Sequence, residues 1–442
     1  MQITYVILAL TGLSIALSAW LLIAPKAWWR VSATASVFQL YTVPLGGIFP
    51  SLSFLSALGA ANSLWRGGGA CSRFWMMRWY LLLCGTLLLS LAWSSNPVKG
   101  IREVIYLLTF VFLVASSYLI ARQDRTIILR VLCLLMAFTV VEALLTILFR
   151  VAPSVELRFL TSPVARFFIS PNTLDGMFDG TVTILDAAKA GGFFLNANVA
   201  SVFLGVSAVI AWYLSKIVDR PWLRVVAVID WLAVFCTGSK AGMALAVVVP
   251  CLIVLWEMVR VRRFNVLHVM VIFGALVLGI IGWEVGHEFL ANSSFFKQSS
   301  ETLDSRVVIW RFAASMAHQH LLAGLGFGGW EERFPLYALA NGVNPNFPPH
   351  NAFLILWTNS GMPAVLAGAA FVVSTLLTLL RFSLSRNPLI SQLGMGCLGA
   401  YLWFFIQSLG ENYGLMGEAH LTPIFATFIG LLFACEMNSQ PE

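Results

Sequence analysis

Three ionisable residues have side chains that could take part in catalysis. His350 follows two prolines and comes directly before a new apolar run. The ordinary pKa of histidine lies near neutrality, so His350 could act as a general base or merely cap a helix. Lys240 begins another apolar run. An ionisable residue in such a position has a functional role by default, and the alternative is that its long side chain simply extends to the water at the membrane surface. Arg306 lies in a long polar segment, where it could bind an anion or only face solvent.

Two local elements must position these residues. The stretch 301–322 is predicted to be an amphipathic helix whose face toward the membrane or the bundle carries Val307, Ile309, Trp310, Ala313 and Met316. Arg306 and Arg311 are five residues apart on this helix, so their side chains leave it about 140° apart and do not form one clamp. The glycine-rich GLGFGGW (324–330) resembles a dinucleotide fingerprint, but a helix rather than a strand precedes it. We therefore interpret it as a sharp turn between two helices.

The composition places these elements in a membrane. Of the 442 residues, 59% are hydrophobic and 11% are charged, whereas a soluble globular protein has about 25% charged residues. Apolar runs of about 20 residues recur along the whole length, which is typical of membrane-spanning helices. A soluble enzyme is therefore excluded, and the sequence predicts an all-α, polytopic helix bundle.

The net charge of +7 is explained by topology rather than by nucleic-acid binding. Basic residues cluster in every second short connection between the apolar runs, which is the positive-inside pattern. These clusters hold 16 of the 27 basic residues, namely Lys26, Arg30, Arg66, Arg73, Arg78, Arg122, Arg125, Arg130, Lys216, Arg220, Arg224, Arg260, Arg262, Arg263, Arg381 and Arg386. We expect them and the carboxyl terminus to be cytoplasmic, and the two long polar segments to face outward.

Twelve or thirteen membrane-spanning helices are predicted. They lie near 3–23, 28–44, 48–64, 79–95, 103–121, 129–149, 198–216, 222–237, 239–258, 264–285, 352–380, 390–408 and 419–436. The chain accordingly divides into five parts. They are amino-terminal helices (1–150), a first long outer loop (151–197), central helices (198–285), a large outer loop (286–351) and carboxy-terminal helices (352–442).

Five motifs in the second half of the chain form one set. They are GGFFLNANVAS (191–201), TGSKAGMAL (237–245), Ser305-Arg306 with Trp310, GLGFGGW (324–330) and PHNAFLILWTNSGMPAVLAG (349–368). Together they resemble the O-antigen ligase and O-antigen polymerase superfamily of bacterial envelope glycosyltransferases. The resemblance covers roughly residues 190–380 and rests on the order of the motifs. In one outer loop, Ser305-Arg306 with Trp310 comes first, the glycine motif at 324–330 follows, and the His350-Asn351 pair comes last.

The resemblance implies a GT-C-like enzyme of the bacterial inner membrane, with 286–351 as its periplasmic catalytic loop. The donor would be a glycan on undecaprenyl diphosphate, and the acceptor a sugar hydroxyl on lipid A–core (ligase) or on another repeat unit (polymerase). It also implies that His350 and Arg306 are catalytic and that Lys240, Arg306 and Arg311 bind the diphosphate. Lys240 departs from the family's arginine, and lysine binds phosphate as a point charge without the guanidinium fork.

Four further residues could support this site. Asn351 adjoins His350, and Glu332 could orient the histidine. Asn196 and Asn198 are expected to cap the next helix, with donor binding as the alternative. A lipid diphosphate donor does not require a nucleotide-bound metal, and no DxD pair occurs in the sequence. We expect no metal and no cofactor.

Other functions remain open from the sequence. A polymerase of O-antigen or exopolysaccharide would use the same chemistry on a different acceptor. A transporter or flippase of polysaccharide is the alternative from another class, and it should carry charged residues at the membrane midplane on broken helices. The polar residues collect instead in the outer loops and at helix mouths, which favours chemistry at the membrane surface.

Overall fold

The computed structural model describes residues 38–41, 51, 54, 74–175, 188–261, 294–411, 413, 415 and 420–439. Most of the three spans predicted before residue 65, and the span predicted near 264–285, lie outside these ranges. Within the described ranges the regular elements are helices without a named strand, so the all-α expectation is confirmed.

Fourteen α-helices are described. In chain order they are α1 Trp75–Leu89, α2 Pro97–Gln123, α3 Arg125–Val151, α4 Pro153–Leu160, α5 Ala165–Phe168, α6 Pro171–Asp175, α7 Ala197–Val218, α8 Trp222–Cys236, α9 Lys240–Val261, α10 Ser294–His320, α11 Gly329–Ala340, α12 Ala352–Ser383, α13 Pro388–Ser408 and α14 Leu421–Ser439. Short 3-10 helices at Ser90–Trp93 and Gly192–Phe194 extend α1 and precede α7.

Eight of the described helices are long and apolar enough to cross a membrane. They are α1 with its 3-10 extension, α2, α3, α7, α9, α12, α13 and α14. The chain is therefore a multi-pass membrane protein. The helix α8 lies where a span was predicted, but its 15 residues extend only about 22 Å, which is less than the thickness of the hydrocarbon core.

Polar side chains at the helix starts explain where several of these spans begin. Asn196 accepts a hydrogen bond from the backbone of Asn198 at 2.9 Å and caps α7. Asn387 accepts from Leu389 N at 3.0 Å and caps α13. A cap satisfies backbone N–H groups that the first turn of a helix leaves without partners. The predicted limits of α7 and α13 are therefore within two residues of those observed.

The two ends of the bundle differ in chemistry. At one end the starts of α7, α9 and α12 meet the last residues of α8 and α13; we call it the loop end and define it by residues 188–198, 237–240, 350–351 and 409–411. At the opposite end Lys216 pairs with Glu257 at 3.6 Å, and Arg260 donates to Ser383 O at 3.4 Å. Both long polar segments end at the loop end, where α7 and α12 begin, and the basic connections after α7 and α12 lie at the opposite end.

The helix α12 is broken near its start, which refines the span predicted at 352–380. Gly361 has φ 72° and ψ −166°, and the chain resumes helical geometry beyond it. Ser360 Oγ donates to Ser90 Oγ at 2.8 Å. Ser90 lies at the outer limit of α1, so residues 352–360 extend beyond that limit at the loop end.

The predicted amphipathic helix is present as α10, and part of its predicted apolar face packs against the bundle. Ile309 and Ala313 are buried, as predicted, and pack with Phe312 against α11. Trp310 is 40% exposed and points away from this contact. The buried face follows the spacing 309, 312, 313 and 316, which leaves residue 310 about 100° to one side of Ile309.

Candidate functional site

The centre of the loop end is Glu411, a carboxylate that is only 6% exposed. Arg306 Nη2 donates to Glu411 Oε1 at 3.1 Å, and Asn198 Nδ2 donates to the same oxygen at 2.7 Å. The guanidinium lies against Gly410, where a Cβ would be 3.2 Å from Arg306 Nη1. Three separate segments, namely α10, the start of α7 and the residues after α13, therefore converge on one carboxylate.

Asn198 connects this carboxylate to the start of α9. Ser239 Oγ donates to Asn198 Oδ1 at 2.7 Å and accepts from Gly242 N at 3.2 Å, so it caps α9 while it holds Asn198 in place. Lys240 is the next residue, the first of α9, and is half-buried. The chain Arg306–Glu411–Asn198–Ser239 thus places the predicted cation Lys240 at the same end as Arg306.

Gln407 fixes the position of Asn198 from α13. Its Nε2 donates to Asn198 O at 2.9 Å and to Ser201 Oγ at 2.8 Å, while its Oε1 accepts from Trp403 Nε1 at 3.2 Å. A buried amide with both ends satisfied orients its neighbours without an unpaired polar group. This network ties α7 to α13 directly beneath the cluster.

His350 is held beside Arg306 in a backbone conformation that disfavours most side chains. Its φ is +51°, in the left-handed region, and its ring meets that of Phe347 edge-to-face with centroids 5.6 Å apart. Burial, and then the positive charge of Arg306, lower the pKa of His350 to about 4. At neutral pH the imidazole is therefore uncharged and able to accept a proton.

Asn351 secures His350 to the segment that carries Glu411. Its Oδ1 caps α12 by accepting from Phe353 N at 2.9 Å, and its Nδ2 donates to Leu409 O at 2.8 Å. This hydrogen bond connects the backbone segment that carries the predicted His-Asn pair to the segment that carries Glu411.

Burial raises the pKa of Glu411. The charge of Arg306 is the largest effect that opposes this rise, followed by the hydrogen bonds from Asn198 and Arg306 and by the charge of Lys189. A buried carboxylate that accepts two such hydrogen bonds at one oxygen acts as a counter-ion for the guanidinium.

A turn before α7 is anchored from within the bundle by Glu142. Phe193 N donates to Glu142 Oε2 at 3.0 Å, and Gly192, with φ +55°, lies so close to Glu142 Oε1 that a Cβ would collide with it. The same turn joins the end of α8 through the hydrogen bond from Ala190 N to Thr237 O at 3.1 Å. Glu142 therefore positions the backbone that precedes Asn198.

The structure brings together His350, Arg306, Asn351 and Asn198, with Lys240 adjoining them. Arg311 is exposed, and within the described part of the chain its side chain makes no hydrogen bond or ion pair. Glu332 is also exposed and makes no side-chain contact with His350 among the described residues. Asn196 is a helix cap as expected, whereas the side chain of Asn198 bridges Ser239 and Glu411 instead of capping α7.

Glu411 is the central residue that sequence reasoning did not find. A signal was present, because Glu411 is the first acidic residue after Glu332 and follows a long apolar run at the mouth of α13. Ser239 and Gln407 carried no comparable signal, since uncharged polar residues are common in such positions. Lys189 also lacked a distinguishing signal, because it is one of several basic residues in a long polar segment.

The comparisons with known proteins bear on this part of the chain. A family model described as O-antigen ligase matches residues 225–369. The matched segment contains Ser239, Lys240, Arg306, His350 and Asn351, while Asn198 and Glu411 lie outside it. No curated protein matches the chain significantly. The match over residues 225–369 thus confirms the resemblance to the O-antigen ligase and polymerase superfamily.

Proposed function

We propose that this protein is a ligase-type glycosyltransferase of the bacterial inner membrane. It transfers a glycan from undecaprenyl diphosphate to a sugar hydroxyl of lipid A–core at the periplasmic face. The observation that carries this proposal is the convergence of Arg306 and His350 at the loop end, inside the segment that matches the O-antigen ligase family. The basic residues at the opposite end of the bundle support a periplasmic location of the cluster.

Arg306 and Lys240 are the groups that we assign to the donor diphosphate. The leaving group gains negative charge as the glycosidic bond to phosphate breaks, and fixed cations in a site of low dielectric stabilise this charge. Arg306 is 26% exposed at its side chain, so it is accessible from the outside although it contacts Glu411. Glu411 holds the guanidinium in position before the donor binds.

His350 is the general base in this mechanism. The acceptor oxygen attacks the anomeric carbon of the donor while its proton passes to a ring nitrogen of His350. The bond between the anomeric carbon and the phosphate oxygen breaks, and undecaprenyl diphosphate leaves with the electron pair. This single displacement inverts the configuration at the anomeric carbon. The negative diphosphate offsets the charge of Arg306, so donor binding raises the pKa of His350 from about 4 and strengthens the base.

The proposal is tested by His350→Ala and Arg306→Ala in cells that depend on this protein for surface glycan. Each variant should strongly reduce transfer, because each removes a group that stabilises the transition state, and glycan analysis by gel and mass spectrometry reads the result. Arg102→Ala is the matched control, because Arg102 is an exposed arginine near the loop end whose nearest carboxylate, on Glu103, is 3.8 Å away. Normal surface glycan in both site variants at normal expression would refute the assignment of the site.

The same experiment separates the ligase from the polymerase reaction. Loss of a ligase leaves bare lipid A–core and full-length polymer on the lipid carrier. Loss of a polymerase leaves core with a single repeat unit, or no secreted exopolysaccharide. The arrangement of Arg306 and His350 serves both reactions, since they differ in the acceptor and not in the departure of the diphosphate.

A further inference from the structure

A cavity of about 350 Å³ lies between α7, α8 and α9, in the half of the bundle away from the candidate site. Trp212 is 43% exposed and Val228 is 49% exposed, so the cavity opens on the side of the bundle that faces lipid. Its size is that of a ligand pocket rather than of a packing defect. Each helix lines it with residues at helical spacing, among them Trp212 and Lys216 on α7, Val228 and Trp231 on α8, and Pro250 and Glu257 on α9.

Pro250 and Trp231 fix one wall of this cavity. Proline has no backbone N–H, so Pro250 leaves the carbonyl of Ala246 without its partner in the helix ladder of α9. Trp231 Nε1 donates to this oxygen at 2.9 Å. The hydrogen bond satisfies a carbonyl that would otherwise be exposed to lipid, and it ties α8 to α9 beside the cavity.

Lys216 stands at the mouth of the cavity and is held there from two sides. Its Nζ is 3.6 Å from Glu257 Oε1, 4.7 Å from the ring centroid of Tyr213 and 5.7 Å from that of Trp212. Tyr213 also donates to Glu257 Oε1 at 3.0 Å. The ammonium has three N–H donors and its side chain is 32% exposed, so it can donate to an anion at the membrane side while it stays near Glu257.

Arg224 adds a second cation on the same face of α8. It is exposed and lies four residues before Val228 and seven before Trp231, which is the spacing of one helical stripe. Two cations above an apolar cavity match the two parts of a phospholipid, whose phosphate is charged and whose acyl chain is not. Basic pockets between membrane-spanning helices bind lipid head groups in this way.

We propose that this cavity binds one glycerophospholipid, with an acyl chain inside the cavity and the phosphate at Lys216 and Arg224. The polyprenyl tail of the donor is the competing occupant. The donor carries its charge at the loop end, however, and Asn198 at that end is about 27 Å along α7 from Lys216. A lipid whose own head group lies at the opposite end matches both the apolar lining and the two cations. The site is distinct from the one proposed for glycan transfer.

Native mass spectrometry of the delipidated full-length protein with dioleoyl phosphatidylglycerol tests the role of the two cations. The wild type should retain one such lipid. Lys216→Gln with Arg224→Gln should weaken retention about tenfold or more, because charge-assisted hydrogen bonds to the phosphate are lost, and Lys216→Arg should keep most of it. Dioleoylglycerol has the same chains without phosphate and should bind as weakly as phosphatidylglycerol does to the double variant. Equal retention of both lipids by the wild type would refute recognition of the phosphate.

Val228→Trp tests the cavity itself, because the larger side chain fills it without changing a charge. Leu232→Trp is the matched control, since Leu232 is about as exposed as Val228 on the same helix but does not line the cavity. We expect Val228→Trp to lose the lipid and Leu232→Trp to retain it. Retention by Val228→Trp at the wild-type level would show that the lipid lies elsewhere. Displacement of phosphatidylglycerol by an equal amount of undecaprenyl monophosphate would make the polyprenyl chain the occupant and overturn the proposal.

Discussion

At the scale of single residues, the site depends on one buried carboxylate. Glu411 is almost inaccessible, and its partner Arg306 would be an uncompensated charge without it. Removing one member of such a pair is much more damaging than replacing both by apolar groups, because the remaining charge keeps its desolvation penalty. The pair therefore sets the position of the guanidinium, whose charge adds to the larger effect of burial in lowering the pKa of His350.

The pH dependence of transfer should reveal this coupling. A base works only when deprotonated, so activity is lost as the pH falls through the pKa of His350, which is about 4 in the free protein. In the wild type we expect kcat/KM to fall on the acidic side near that value. We expect kcat to begin its acidic fall at a higher pH than kcat/KM does, because the bound diphosphate offsets the charge of Arg306 and raises the pKa of His350. The measurement is a pH–rate profile with the protein reconstituted in liposomes.

Arg306→Gln provides the matching comparison in that profile. Its residual activity should show the acidic limit of kcat/KM at higher pH, since the repulsive charge is gone, but below the ordinary value of 6.5 because burial is the larger cause. A wild-type limit already at 6.5, or a shift to lower pH in the variant, would contradict the role assigned to Arg306.

At the scale of elements, two features are hydrogen-bonded to each other: the turn after α10, which runs from residue 321 into the glycine-rich segment 324–330, and the break in α12 at Gly361. We call this contact the joint. Leu325 N donates to Thr358 O at 2.7 Å, and Met362 N donates to Leu321 O at 3.0 Å. The backbone groups that the break frees in α12 are thus taken up by the turn after α10. The joint links α10, which carries Arg306, to α12, whose first residues follow His350.

Gly361→Ala should disrupt this joint. The backbone of Gly361, with φ 72° and ψ −166°, lies in a region that essentially only glycine adopts and that costs of order 1–3 kcal/mol for other residues, and the added carbon would collide with Leu322 O. Gly342→Ala is the matched control, because Gly342 has φ +69° with nothing within 4 Å of its Cβ. We expect Gly361→Ala to lower the thermal unfolding midpoint in detergent at least twice as far as Gly342→Ala. Equal effects would mean that backbone strain alone matters and that the joint does not.

At the scale of the whole molecule, each end of the bundle carries its own set of charged residues. The opposite end carries Lys216 and Arg260 in contact with neighbouring helices, and the loop end carries the Arg306–Glu411 cluster. A buried polar network is costly unless every polar group in it has a hydrogen-bond or ion-pair partner. The charged residues at each end of the bundle therefore depend on the partners present at that end. The difference between the ends predicts the orientation of the protein in the membrane.

Single-cysteine labelling tests this orientation. In a cysteine-free background, Asn341→Cys lies at an exposed position after α11, and Arg386→Cys lies at an exposed position between α12 and α13. A membrane-impermeant maleimide should label Asn341→Cys in spheroplasts and should label Arg386→Cys only after lysis. The reverse pattern would place the candidate site in the cytoplasm and rule out a periplasmic transfer reaction.

The helices of the bundle and three of the central residues could be predicted from the sequence because the signals are local. An apolar run of sufficient length that begins after a cap such as Asn196 or Asn387 defines a span wherever it lies. His350, Lys240 and Arg306 were found in the same way, since each is an ionisable residue at the start of an apolar run or in a recognisable motif.

Only the tertiary structure decided which residues meet. Glu411 lies 213 residues from Asn198 and 105 residues from Arg306 along the chain. No local periodicity connects residues so far apart, because their contact depends on how α7, α10 and α13 pack. The same reason applies to Arg311, which shares a helix and a residue type with Arg306 but lies on the exposed face. The sequence thus determined the helices and the candidates, and packing at the loop end selected Glu411 and Asn198 as their partners.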